Sequence, residues 1–302
     1  IDFSKIKIWA GNYDFWKQSS ELAIQLRANQ NKRVEEKAKD LEAFIRRFSA
    51  NASKSKQATS RRKHLEKLTL DDIPSSSRKT PHCIFNQERE AGDILLQVSN
   101  LSKTINGQKI LQDVSFEILR GEKVIFVGKD EVAMTLFFEL LMGEVEPDEG
   151  TVKWGVTTRR SYLPKDNSNY FEGKKDNLID WLREFSEDKS ENFIRGFLGK
   201  MLFSGEETKK SVSVLSGGEK VRCMLSRMML QEANVLLLDG PTNHLDLESI
   251  IALNTGLIDF KGTVLFSTHD HDFAQSLSKR LIEITDTGLI DHQIDYEDYI
   301  SN

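Results

Sequence analysis

At 302 residues, with 38% apolar residues and a net charge of −5, the chain has the make-up of a soluble polypeptide with room for more than one structural unit. No apolar run reaches the ~18 residues a membrane-spanning helix needs. Cys83 and Cys223 stand alone, with no C-x-x-C and no histidine pair nearby, so neither a disulfide framework nor a zinc site is indicated and a reducing, cytoplasmic compartment is expected.

The chain opens at Ile1 without a methionine or a signal-like segment, and reads as part of something longer. Residues 13 to 48 contain no Gly or Pro and are rich in Ala, Leu, Glu, Lys, Gln and Arg, which predicts one long helix. Leu41, Phe44, Ile45 and Phe48 fall on one face of it. After a Ser-Ala-Asn-Ala break a second helix is predicted from about Ser53 to Leu68, making a hairpin arm about 50 Å long. From Arg27 to Lys67 thirteen basic residues face five acidic ones, a net +8, so the remainder carries −13. A solvated coiled-coil spacer is the plain reading of such a charged hairpin. The positive bias near the turn (Arg46, Arg47, Lys54, Lys56, Arg61, Arg62, Lys63) favours contact with nucleic acid.

Pro74, the serine run 75–77 and Pro81 predict a flexible linker over about 73–93. From Ile94 the texture changes. ILLQVSNL and VSFEIL alternate as antiparallel strands about a turn at Asn106-Gly107. KVIFVG, SYLP, NVLLLD, TVLFST and RLIEI then read as strands interleaved with helices. The expected class is α/β, with a largely parallel central sheet and an antiparallel edge.

Four segments of this region carry chemistry. Gly128 to Thr135 has the frame of a phosphate-binding loop, G-x-x-x-x-G-K-[ST], but Ala133 replaces the second glycine and Met134 the lysine, while Glu131 adds a negative charge. One lost charge-assisted contact costs about 1.5–3 kcal/mol. Taken alone, the loop reads as a strand-to-helix turn, although Thr135 keeps a hydroxyl able to reach Mg²⁺. Asp239 ends an apolar strand, where a carboxylate can organise Mg²⁺. The next position, where a general base would stand, is Gly240. His269 follows another apolar strand and is placed to contact a terminal phosphate, whereas His271 is read as structural. Ser216, Gly217 and Gly218 precede a helix expected to start near Glu219, so that amides and a hydroxyl face an anion. LSGGEKVR, then LLLDGPTNHLD, then the histidine form an ordered set too specific for chance.

These residues resemble the ATP-binding-cassette family. LSGGEKVR is similar to its signature, LLLDGPTNHLD to its Walker B and D-loop with Asp246, and Thr268-His269 to its switch. GNYDFWKQ and the basic hairpin resemble the interdomain linker of the ABC-F subfamily, soluble proteins with two cassettes in one chain. The resemblance implies an ABC-type P-loop NTPase domain over 94–302, preceded by a helical arm over 14–72, with 1–13 ending a first cassette. It also implies ATP and Mg²⁺ as cofactors, an arm reaching ribosome-bound tRNA, and no membrane domain.

The departures from that family cluster. Ile105 falls where an adenine-stacking aromatic is usual, Lys165 takes the Q-loop position, and Gly240 the catalytic glutamate position. With the altered loop, all belong to one pocket, whereas Ser216, Gly217, Gly218, Glu219 and Asp246 are what a cassette presents to its partner's nucleotide. The expectation is a disabled home pocket whose signature acts in trans, with the isolated chain inactive in ATP hydrolysis. A transporter ATPase subunit and a DNA-repair or chromosome-maintenance ATPase are the alternatives. In the latter the arm is inserted inside the cassette, not ahead of it.

Overall fold

The computed structural model describes residues 13–48, 60, 62, 63, 65, 79–128, 130–285, 287–292, 294 and 296–301. The chain divides into two compact units at Arg78 and Lys79.

In the first unit, helix α1 spans Tyr13–Phe48. Its described half-buried positions are Asn31, Val34, Ala38, Leu41 and Ile45, an alternating three- and four-residue spacing that keeps one stripe on one side. The side chains of Phe44 and Phe48 lie outside the described residues. Arg46 and Arg47 occupy the last turn, where cations also complement the helix dipole. Residues 60, 62, 63 and 65 are helical, in keeping with a second helix there.

The second unit is built on two sheets. Strands β1 (Ile94–Ile105) and β2 (Gln108–Leu119) pair antiparallel. With β4 (Glu149–Trp154) they form a three-stranded sheet in the order β2-β1-β4. The antiparallel pair expected in the main sheet therefore sits in a separate sheet, because β1 takes β4 as its second neighbour. The main sheet runs β5-β6-β7-β3-β8-β9. Its members are β3 (Lys123–Gly128), β5 (Arg160–Leu163), β6 (Val235–Asp239), β7 (Thr263–Ser267), β8 (Arg280–Thr285) and β9 (Gly288–His292). All its pairings are parallel except the β8–β9 hairpin. Every residue of β6 and β7 is buried, which explains their unbroken apolar runs.

Helix α2 (Glu131–Met142) follows β3 and anchors through Phe137 and Phe138, which meet Phe126 of β3 at ring separations of 4.9 and 6.0 Å. Helices α3 (Leu178–Arg183), α4 (Glu191–Lys200) and α5 (Gly217–Leu230) share a second core around Trp181 and Met224. Helix α6 (Leu247–Asp259) follows β6, α7 (His271–Leu277) follows β7, and α8 (Tyr296–Ser301) comes last.

The flexible linker expected up to residue 93 is not what the structure holds from Lys79 onward. Pro81, Cys83 and Phe85 are buried at alternate positions, the pattern of an extended segment with one side covered. The His82 N–H donates to Lys200 O at 2.8 Å, Phe85 meets Phe260 edge-on at 6.3 Å, and the Glu88 N–H donates to Glu232 O at 3.0 Å. Burial pushes the Cys83 thiol up to about 12, so it behaves as a small apolar group. This strap ties α4, α5 and the end of α6 together, and it belongs to the second compact unit.

Candidate functional site

The carboxyl ends of β3, β6 and β7 bring Gly128, Asp239 and Ser267 side by side, where open parallel sheets form clefts. Asp239 is buried. Its Oδ2 accepts from Thr135 Oγ1 at 2.7 Å and its Oδ1 from Ser267 Oγ at 2.9 Å. The expected Mg²⁺ pair, Thr135 and Asp239, is thus brought together, and its carboxylate is satisfied within the chain.

The altered loop is wound into helix. Asp130 is the N-cap of α2: its Oδ1 accepts from the Val132 N–H at 2.9 Å, and its carbonyl from the Met134 N–H at 3.1 Å. In an intact phosphate-binding loop such amides face the phosphates; here they are committed to Asp130. Met134, at the lysine position, is buried among Phe126, Phe137 and Phe138. Its Sδ lies 2.9 Å from where a Cβ on Gly128 would be, so the thioether fills the turn.

Glu131, the first residue of α2, reaches outward. Its Oε1 lies 2.8 Å from His269 Nε2, and its Oε2 pairs with Lys165 Nζ. The Lys165 ammonium first, and then His269, hold the Glu131 carboxyl below its ordinary range. The altered loop, the Q-loop position and the switch histidine therefore meet, but on one another. Gly240 has φ +60° and donates its N–H to Ser267 O at 3.0 Å.

Two adjoining cavities flank this cluster. One, of 230 Å³, is lined by Gly128, Met134, Asp239, Thr268, Tyr296 and Tyr299 among others. The second, of 580 Å³, includes Ile105, Thr135, Glu139, Asp166 and His244. Glu131, Lys165 and Asn243 line both and stand at their boundary. Among the described residues, four carboxylates (Glu131, Glu139, Asp166, Asp239) face one lysine across these walls. Burial, then Glu144 and Asp239, raises the pKa of Glu139. As arranged, the described walls do not fit an oligophosphate: their charge has the wrong sign and the Val132 and Met134 amides are engaged.

The signature is built differently. Helix α5 starts at Gly217, two residues before the expected Glu219, because Ser216 is its N-cap. Glu219 Oε2 accepts from the Ser216 N–H and hydroxyl, both at 2.8 Å, closing a capping box. The anion expected at this helix end is supplied by the helix itself. Burial opposes ionisation of Glu219, but the Ser216 donors and Lys210 outweigh it and its pKa is lowered. His244 lies over the two glycines, its carbonyl 2.7 Å from where a Cβ on Gly218 would be. Asp246 caps α6, its Oδ1 accepting from the Ser249 N–H at 2.8 Å. Among the proposed arm cations, Arg46, Arg47, Arg62 and Lys63 are exposed, while Lys54, Lys56 and Arg61 lie outside the described residues.

Asp130, Ser267, Tyr296 and Tyr299 join the site from outside the sequence motifs, whereas His244 belongs to LLLDGPTNHLD. Asp130 alone carried a readable signal, an N-cap residue directly ahead of a helical run.

Two models described as ABC transporter match the chain, one over residues 1–85 and the other over 111–243. The chain carries an ATP-binding cassette of the ABC type, a class that takes ATP with Mg²⁺. It is 59% identical, over its whole length, to YkpA of Bacillus subtilis, an uncharacterized ABC transporter ATP-binding protein of which it covers 56%. It is 36% identical over 99% of its length to YbiT of Escherichia coli O157:H7, described as a "Probable ATP-binding protein", of which it covers 57%. The energy-dependent translational throttle protein EttA of Haemophilus influenzae is 28% identical over 96% of the chain, which covers 52% of it. The chain thus spans about half the length of these relatives. A solved ATP-binding subunit of an ABC transporter shares the fold, with a TM-score of 0.56 at 22% identity over 68% of this chain and 91% of that one. No helix among the described residues is long and apolar enough to cross a membrane.

Proposed function

We propose that this chain works as one half of a two-cassette, ABC-F-type protein of the cytoplasm that acts on the ribosome. In this reading it presents its signature to the ATP of the other cassette while its own pocket is retired. The observation that carries this is the contrast between the two ends of the cassette. Ser216 and Gly217 are exposed at the start of α5, whereas Glu131, Met134 and Asp130 occupy the home pocket.

ATP and Mg²⁺ belong, in this reading, mainly to a composite site built with the other cassette, with Ser216, Gly217, Gly218 and Asp246 as this chain's contribution. Thr135, Asp239, Lys165 and His269 then keep the shape of the silent site. The relatives' greater length and the name of EttA support the two-cassette and translation readings. The basic arm, including Arg46, Arg47, Arg62 and Lys63, supplies cations for RNA phosphates, a contact that weakens steeply with salt.

The test uses the full two-cassette protein. Ser216→Arg is expected to lower ATP turnover by on the order of 10²-fold or more, while Thr135→Ala leaves it within about twofold in a phosphate-release assay. The reverse ranking overturns the division of roles. Cosedimentation with ribosomes that survives loss of the charges at Arg46, Arg47, Arg62 and Lys63 counts against the ribosomal part.

A further inference from the structure

Glu131 sits where an anionic ligand of this cleft would have to sit. Its two oxygens face partners from two other segments, the Lys165 ammonium after β5 and the His269 imidazole after β7, so one carboxylate ties three loops. Carboxylate and phosphate oxygens satisfy such donors by the same charge-assisted bonds. The cluster also stands at the boundary of the 230 Å³ and 580 Å³ cavities, the space into which an extended anion would otherwise run.

Exposure decides what this contact does. Glu131 is 56% exposed and His269 78% exposed, so solvent screens the pair and it adds little to the stability of the fold. Its effect is on occupancy. A phosphate approaching Lys165 meets a carboxylate already in place and three more around it. Asp130 repeats the substitution at the α2 N-terminus, taking an amide that would otherwise be open to an anion.

We propose that Glu131 is a built-in anionic ligand, and that the cleft is an oligophosphate site masked by its own chain. The inference rests on reading the cleft as a nucleotide pocket in retirement, but not on a partner cassette or a ribosome.

The test titrates metal-free inorganic tripolyphosphate into the 302-residue chain by calorimetry. The wild type is expected to show no saturable binding in the millimolar range. Glu131→Gln and Glu131→Ala are expected to bind at least about tenfold more tightly, the size of one charge-assisted contact recovered. Adding Lys165→Ala to either variant should remove the gain. Equal behaviour of wild type and variants, whether all bind or none, overturns the proposal, as does a gain that survives loss of Lys165. Should Glu131→Ala misfold, the near-isosteric Glu131→Gln decides alone. These outcomes leave the Ser216→Arg test untouched, so the two readings fail separately.

Discussion

Helices α2 and α5 each begin with a capped N-terminus and a glutamate in the first turn, yet the two glutamates do opposite things. Glu219 is the third residue of its helix, and its carboxylate curls back onto Ser216, the residue that caps it. Glu131 is the first residue of its helix, and its carboxylate leaves the helix for Lys165 and His269. A two-residue difference in position separates a helix end closed by its own capping box from one that crosslinks its neighbours. Charge type alone would have read both as ordinary dipole partners.

The largest expected effect comes from trying to restore the pocket. Gly240→Glu puts a side chain at φ +60°, with its Cβ 2.7 Å from Asn243 Nδ2. Asn243 can swing away but the backbone cannot, so urea unfolding is expected to show a loss of about 1–3 kcal/mol. Phosphate release should stay at background. Recovered hydrolysis would mean that the two ends are less different than their geometry says.

A smaller effect compares the caps directly. Asp130→Ala and Ser216→Ala should each cost about 1 kcal/mol of stability. In the two-cassette protein only Ser216→Ala should also slow turnover. Equal slowing by both would erase the contrast between α2 and α5.

The smallest effect is in acid. Glu131 and Glu219 both have folded-state pKa values below the unfolded one. Their contributions are therefore complete above the ordinary glutamate value of about 4.3 and fade as pH falls through the lowered ones. Glu219→Gln should flatten that part of the stability–pH curve. Glu131→Gln should change it less, since its carboxylate is the more exposed.

Much of this was legible in the residues. The buried strands ending at Asp239 and Ser267 follow from unbroken apolar runs, and the motif order fixed which ends face the cleft. Ile105, Lys165 and Gly240 group with the altered loop on sequence position alone. Their contacts could not, because Glu131 meets Lys165 34 residues away and His269 138 residues away, and one sequence holds no signal for such pairs. The strap was misread as linker because Pro74, Pro81 and the serines outweighed the alternation of Pro81, Cys83 and Phe85. The early start of α5 was missed because two glycines weaken a helix on propensity alone, while the Ser216–Glu219 box more than offsets them.

The Asp130 cap, with Met134 filling the turn behind it, also bears on how the cassette responds to the energy state of the cell. A domain that binds nucleotide only when folded gains stability by mass action, about 2.7 kcal/mol at a hundred times its Kd. Here the helix end, the turn and the Asp239 carboxylate are satisfied by the chain itself. On the reading proposed above, the folding equilibrium of this chain is uncoupled from ATP concentration, and its melting temperature is expected to stay constant when ATP is titrated against it.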